Sequence, residues 1–180
     1  MTGAQTTVDQ RISGEVAMGP DDELVGVVVE LLVARRLTIS VAESCTGGLI
    51  CAALCGPAGA SRYLLGGVVA YANALKTGLL GIPREALAEQ GAVSSPTALA
   101  MATAMRRVSG SAMALGVTGL AGPQANRRSG KPEGVVYIAL VGGPRGDQWR
   151  EHLWSGTRQQ NQSSSVRAAL QLLRDELTEA

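Results

Sequence analysis

The apolar positions of this 180-residue chain alternate between a helical spacing and a period of two, the spacings that mark helices and strands. Leu24, Val27, Val28, Leu31 and Leu32 recur at helical spacing. Asp21 and Asp22 before them suit a helix start, and Arg35 and Arg36 after them suit its last turn, so a helix is expected to about residue 36. Leu37, Ile39 and Val41 then alternate and predict a strand over 37–42. A helix over 46–54 follows, ended by Gly56-Pro57. A strand rich in Val, Leu and Gly is expected over 63–71. Asn73 is read as the cap of a helix to about residue 80, broken by Gly81-Ile82-Pro83, with a further short helix over 83–90. Ser94-Ser95-Pro96 opens another helix to about residue 108, with Ser95 as cap and Pro96 in the first turn. Strands are expected over 111–118, 134–141 and 148–153, with a glycine-rich loop over 119–130. A closing helix is expected over 158–173. Strands alternating with helices, then a strand hairpin, predict a three-layer α/β/α sandwich with a mixed sheet.

The length suits one core. Residues 1–20 lack a sustained period and read as a flexible extension, leaving 21–180 as the domain. Charged residues make up only 17% of the chain, below the usual quarter. That deficit points to surface covered by a partner subunit or to a well-filled α/β sheet. A net charge of +1 argues against an electrostatic nucleic-acid binder. No apolar run reaches membrane-spanning length and no basic-then-apolar leader pattern is present, so a cytoplasmic protein is expected. The three cysteines, at 45, 51 and 55, do not form the evenly counted, dispersed set of a disulfide scaffold. His152 is the only histidine, so neither a His-rich zinc site nor a Ser-His-Asp triad is expected.

Polar residues gather where the predicted strands end, which is where open α/β sheets place ligands. At Glu43-Ser44-Cys45-Thr46-Gly47-Gly48 a strand passes directly into a helix. Ser44 there is either a nucleophile beside helix-start amides or a helix cap. Glu43 bonds to backbone or to a cation at the sheet edge. At Tyr71-Ala72-Asn73-Ala74-Leu75-Lys76, Lys76 is the only lysine in the first 130 residues. It serves as the base that a serine without histidine needs, if burial lowers its pKa, or it is a solvated helix lysine. The stretch Val117-Thr118-Gly119-Leu120-Ala121-Gly122-Pro123 offers an amide nest for phosphate or a plain connection. Lys131 and Arg158 could add cations for an anionic ligand.

Several stretches in order resemble the CinA C-terminal domain family over about residues 21–177. They are VAESCTGGLICAAL from Val41, GASRYLLGGVVAYANALKTGLLGI from Gly59 and GAVSSPTALAMA from Gly91. GVTGLAGP from Gly116, KPEGVVYIAL from Lys131 and WSGTR from Trp154 complete the set. Stand-alone members of that family are nicotinamide-nucleotide amidases. The resemblance implies an anticodon-binding-domain-like fold and hydrolysis of nicotinamide mononucleotide to nicotinic acid mononucleotide and ammonia, with no metal or cofactor, in a homo-oligomer. It implies Ser44 as nucleophile, Lys76 as general base and Tyr71 as an active-site tyrosine. Glu43, Cys45, Thr46, Gly47, Asn73, Thr118, Gly119, Gly122 and Arg158 are expected around the substrate, with Arg158 on its phosphate. The chain departs from the family's usual residues at Ala72, Leu75, Thr157 and Gln162. A nucleotide-binding or partner-subunit domain of the same fold is the competing reading.

Overall fold

The computed structural model describes residues 22–123 and 130–178. The expected extension over 1–20 lies outside the described residues, as do residues 124–129 of the expected glycine-rich loop. Among the described residues, six α-helices and five strands follow one another as α1 (Asp22–Ala34), β1 (Ile39–Glu43), α2 (Leu49–Cys55), β2 (Leu64–Val69), α3 (Asn73–Gly78), α4 (Arg84–Gln90), α5 (Ser95–Ser109), β3 (Met113–Gly119), β4 (Val135–Val141), β5 (Gln148–Leu153) and α6 (Arg158–Thr178). The strands form one sheet in the order β2-β1-β3-β4-β5. β1 runs parallel to both β2 and β3, whereas β3, β4 and β5 pair antiparallel. The sheet is mixed, as the strand hairpin late in the sequence predicts.

Two apolar layers cover the sheet, and the pleat sorts residues between them. Met113, Leu115 and Val117 of β3 and Val136, Ile138 and Leu140 of β4 face a core shared with α1, α2 and α6. Ala114 of β3 and Val135, Tyr137, Ala139 and Val141 of β4 face the α4–α5 side. This period-two partition is what a sheet buried on both faces requires. It also explains why β1 is buried at every position although an alternating strand over 37–42 is expected from sequence. Small residues on the second face admit α5 closely: a Cβ on Gly116 would lie 2.2 Å from the Ala98 carbonyl oxygen.

Local chemistry moves several boundaries. Helix α1 ends at Ala34 because Arg36 turns left-handed at φ 54°. The Leu37 amide then donates to the Leu32 carbonyl and the Arg36 amide to Val33, a Schellman closure with arginine where glycine is usual. Val27 of its expected apolar stripe is exposed, and Val25 is buried instead. Ser94, not Ser95, caps α5: it is extended and its hydroxyl accepts the Thr97 amide. Ala72, not Asn73, is the N-cap of α3. Helix α6 continues to Thr178 because Leu173 and Leu177 remain in the core.

Candidate active site

The link from β1 to α2 is built around a carboxylate. Glu43, the last residue of β1, is 1% exposed. Its oxygens accept the amides of Gly48, Ile50 and Cys51 at 3.0, 3.2 and 2.8 Å. These are the unpaired donors of the α2 start, where a negative charge is favoured. Of the two partners open to Glu43 from sequence, backbone is the one found, and the carboxylate is occupied away from the substrate space. Gly48 precedes α2 at φ 100°, a conformation that side chains disfavour. It postpones the helix from the expected residue 46 to Leu49, which leaves residues 44–48 as a tight turn closed by the Gly47 amide on the Ser44 carbonyl.

That turn presents Ser44 to Lys76. The lysine Nζ lies 3.1 Å from the serine Oγ, 2.8 Å from the Ala70 carbonyl and 3.5 Å from the Tyr71 carbonyl. Lys76 is 2% exposed, and none of its hydrogen-bond partners is a carboxylate. Burial pulls its pKa below the usual 10.5, opposed in part by the neighbouring Cys45. A neutral amine has two N–H donors and one lone pair. Here the carbonyls can take the donors and the Ser44 hydroxyl can donate to the lone pair. The solvated-helix alternative for Lys76 is excluded by this burial.

Cys45 follows the serine, and burial pushes its thiol up to about 12. It is protonated at neutral pH and poorly suited to nucleophilic attack. Neither the Cys45 nor the Thr46 amide donates to another residue among the described hydrogen bonds. Thr46 is fully buried and its hydroxyl lacks a partner.

A cavity of about 160 Å³ opens over this turn, lined by Ser44, Cys45, Tyr71, Ala92, Val93, Thr118, Gly119, Leu120, Ala121 and Arg158. Thr118 is buried in its wall and its hydroxyl donates to the Ala92 carbonyl at 2.6 Å. Tyr71 is 57% exposed, and its hydroxyl accepts a 2.7 Å hydrogen bond from the Arg158 guanidinium. The Gly122 Cα leaves room for Arg158: a Cβ there would lie 3.1 Å from the Arg158 Cα. Six expected site residues are not in the lining, Lys76 among them, which meets Ser44 from a buried position. Glu43 serves the helix start, Thr46 stands behind the wall, Gly47 is in the exposed turn and Gly122 supports Arg158. Asn73 lines a separate cleft with Thr77 and Arg84, because α3 turns that side outwards.

The first turn of α6 closes the site in a way that sequence reading missed. Thr157 and Gln160 exchange hydrogen bonds as a capping box: the Gln160 side chain accepts the Thr157 amide and the Thr157 hydroxyl accepts the Gln160 amide. The buried Asn161 side chain donates to the Ala121 carbonyl and accepts the Gly156 amide. Gln162 donates to the Cys45 carbonyl at 2.8 Å. The Thr-x-x-Gln spacing was a readable signal for the box. The two amide contacts carry none, since their partners lie 40 and 117 residues away.

A model of the CinA C-terminal domain matches residues 21–177. The chain belongs to this family. A CinA-like protein of Syntrophus aciditrophicus is 40% identical over 97% of the chain and 41% of its own length. A Desulforamulus reducens protein carrying a competence-damage inducible name is 48% identical over 92% of the chain and 39% of its own length. The chain thus spans about two fifths of these curated relatives. Solved CinA-superfamily structures share the fold. One from Klebsiella pneumoniae has a TM-score of 0.84 at 30% identity, covering 90% of the chain and all of that structure. A competence/damage inducible protein from Agrobacterium tumefaciens has a TM-score of 0.83 at 35% identity, covering 91% of the chain and 99% of that structure. The mixed α/β sheet of this chain is therefore the CinA-family fold. Among the described residues, no group of three or more His, Cys, Asp or Glu side chains is placed to hold a metal ion. None of their helices is long and apolar enough to cross a membrane.

Proposed function

We propose that this CinA-family domain is a serine-lysine amidase that hydrolyses the carboxamide of nicotinamide mononucleotide. The observation that carries the reading is the 3.1 Å approach of a buried Lys76 to the Ser44 hydroxyl. Neutral Lys76 takes the Ser44 proton as Oγ attacks the carboxamide carbon. The oxyanion forms beside the Cys45 and Thr46 amides, neither of which donates to another described residue, where fixed donors are worth most. The C–N bond breaks as protonated Lys76 returns the proton to the leaving ammonia. Water then cleaves the Ser44 ester, with Lys76 again as base, and releases nicotinic acid mononucleotide.

The cavity supports a substrate that enters head first. Its volume of about 160 Å³ is below the roughly 300–1,000 Å³ that encloses a whole drug-sized ligand. It suits the pyridine carboxamide, with the ribose phosphate across the Tyr71–Arg158 rim. Arginine matches phosphate geometry. Remote contacts there would supply binding energy to the reacting end.

Two of the four residues that depart from the family's usual set have structural partners of their own. Thr157 caps α6 and Gln162 holds the Cys45 carbonyl, which favours a working site over a weakened binding domain. Exposed Leu49, Leu65, Val69, Leu75 and Leu79 support association between copies of the chain, which sedimentation velocity tests. The function is tested by incubating purified protein with nicotinamide mononucleotide and following ammonia and nicotinic acid mononucleotide. Turnover is expected in the wild type and not in Ser44→Ala or Lys76→Ala. Saturable binding without turnover would favour the binding-domain reading.

A further inference from the structure

The turn that carries Ser44 is held by local and distant hydrogen bonds. The local ones are the Gly47 amide on the Ser44 carbonyl, the Leu49 amide on the Thr46 carbonyl and the α2 amides on Glu43. The distant one comes from α6, where Gln162 Nε2 donates to the Cys45 carbonyl at 2.8 Å. A backbone carbonyl only accepts, so the amide nitrogen must be the end that faces it. Gln162 is four residues after Arg158 and therefore on the same face of α6. Arg158 lines the cavity and meets Tyr71.

The Cys45 carbonyl belongs to the same rigid peptide plane as the Thr46 N–H, and in a trans peptide the two point in opposite directions. Holding the carbonyl fixes where that unspent amide points. A hydrogen bond to the carbonyl also polarises the amide and strengthens it as a donor. We infer that Gln162 is a positioning residue: it locks the Cys45–Thr46 peptide, and with it the nucleophile turn, onto the helix that carries Arg158. This inference rests on the reading of Ser44 as nucleophile. It assigns Gln162 a role without substrate contact: an N–H of its side chain is given to the protein, and the residue is not in the cavity lining.

The test is the rate at which a fluorophosphonate labels Ser44, followed by intact mass, in which a phosphorus–oxygen bond to Ser44 forms as fluoride leaves. It is read in the wild type, Gln162→Met and Gln162→Arg. Methionine keeps the length but cannot donate; arginine keeps a donor. Gln162→Met is expected to label roughly 10- to 100-fold more slowly, the scale of a small misplacement of reacting groups. Its pH midpoint and melting temperature are expected to stay unchanged, and Gln162→Arg to label at close to the wild-type rate. Wild-type labelling with an equal rate in Gln162→Met overturns the inference alone. Slower labelling matched by a lower melting temperature assigns Gln162 to folding and overturns it too. No labelling of wild-type Ser44 overturns the nucleophile reading, and the inference with it.

Discussion

Lys76 lies 3.1 Å from the Ser44 hydroxyl, and its other hydrogen bonds go to the Ala70 and Tyr71 carbonyls. A buried ammonium with only neutral partners is costly, and that cost lowers its pKa. The fold thus favours a neutral amine at Lys76 by withholding a counter-ion.

The first prediction concerns pH. Amidase kcat/KM should rise as Lys76 loses its proton, with an apparent pKa below 10.5, the ordinary value. Stability has the same sign. The unfolded chain binds more protons than the folded one between the depressed folded pKa and the ordinary value, so wild-type stability should climb with pH across that window. Lys76→Met should abolish turnover, melt higher than wild type at neutral pH and show a smaller climb. Kinetics and melting curves over a pH series check both.

Cys45 should prove dispensable for chemistry. With its thiol pushed up to about 12, Cys45→Ala should keep most of the activity and lose about 1 kcal/mol of stability from lost packing. Loss of turnover comparable to Ser44→Ala, with the fold intact by circular dichroism, would refute this.

Glu43→Gln should destabilise the domain by about 1–3 kcal/mol, because the new NH₂ group confronts amides that now meet a carboxylate. Since those amides shape the turn beneath Ser44, kcat should fall more than KM rises. Urea denaturation and steady-state kinetics separate the two effects.

The phosphate assignment is separable from the chemistry. Arg158→Gln should raise KM for nicotinamide mononucleotide roughly tenfold or more, the scale of a lost charge-assisted hydrogen bond. It should change KM for the dephosphorylated nucleoside much less. Tyr71→Phe removes the partner that holds the Arg158 guanidinium and should shift KM in the same direction by less.

Much of the fold was legible because its sheet is buried on both faces and its helices carry strong punctuation. Strand β5 falls over the expected 148–153, and β4 starts one residue inside its expected range. Boundaries failed where neighbouring residues competed for one role. Ser94 and Ser95 are both good caps, and only the extended backbone at Ser94 decides between them. The far end of α6 was hidden because Glu176 reads as a surface charge. It is buried and accepts hydrogen bonds from the Arg145 amide and the Gln148 side chain. In the site, the lack of a usable histidine pointed to Lys76 as a base for Ser44 and the resemblance joined the two, since nothing in a 32-residue separation states a contact. Asn73 was misplaced for a related reason: Lys76 on the same short helix is buried, whereas Asn73, like Ala72 and Ala74 beside it, is exposed.

The central claim is that Ser44 Oγ, activated by Lys76, attacks the substrate carboxamide. It is tested most directly by quenching the enzyme in acid during turnover of nicotinamide mononucleotide and measuring its intact mass. An acyl adduct is expected that peptide mapping places on Ser44 and that is absent from Ser44→Ala. Confirmed turnover in Ser44→Ala, or an adduct that maps to Cys45, would contradict it.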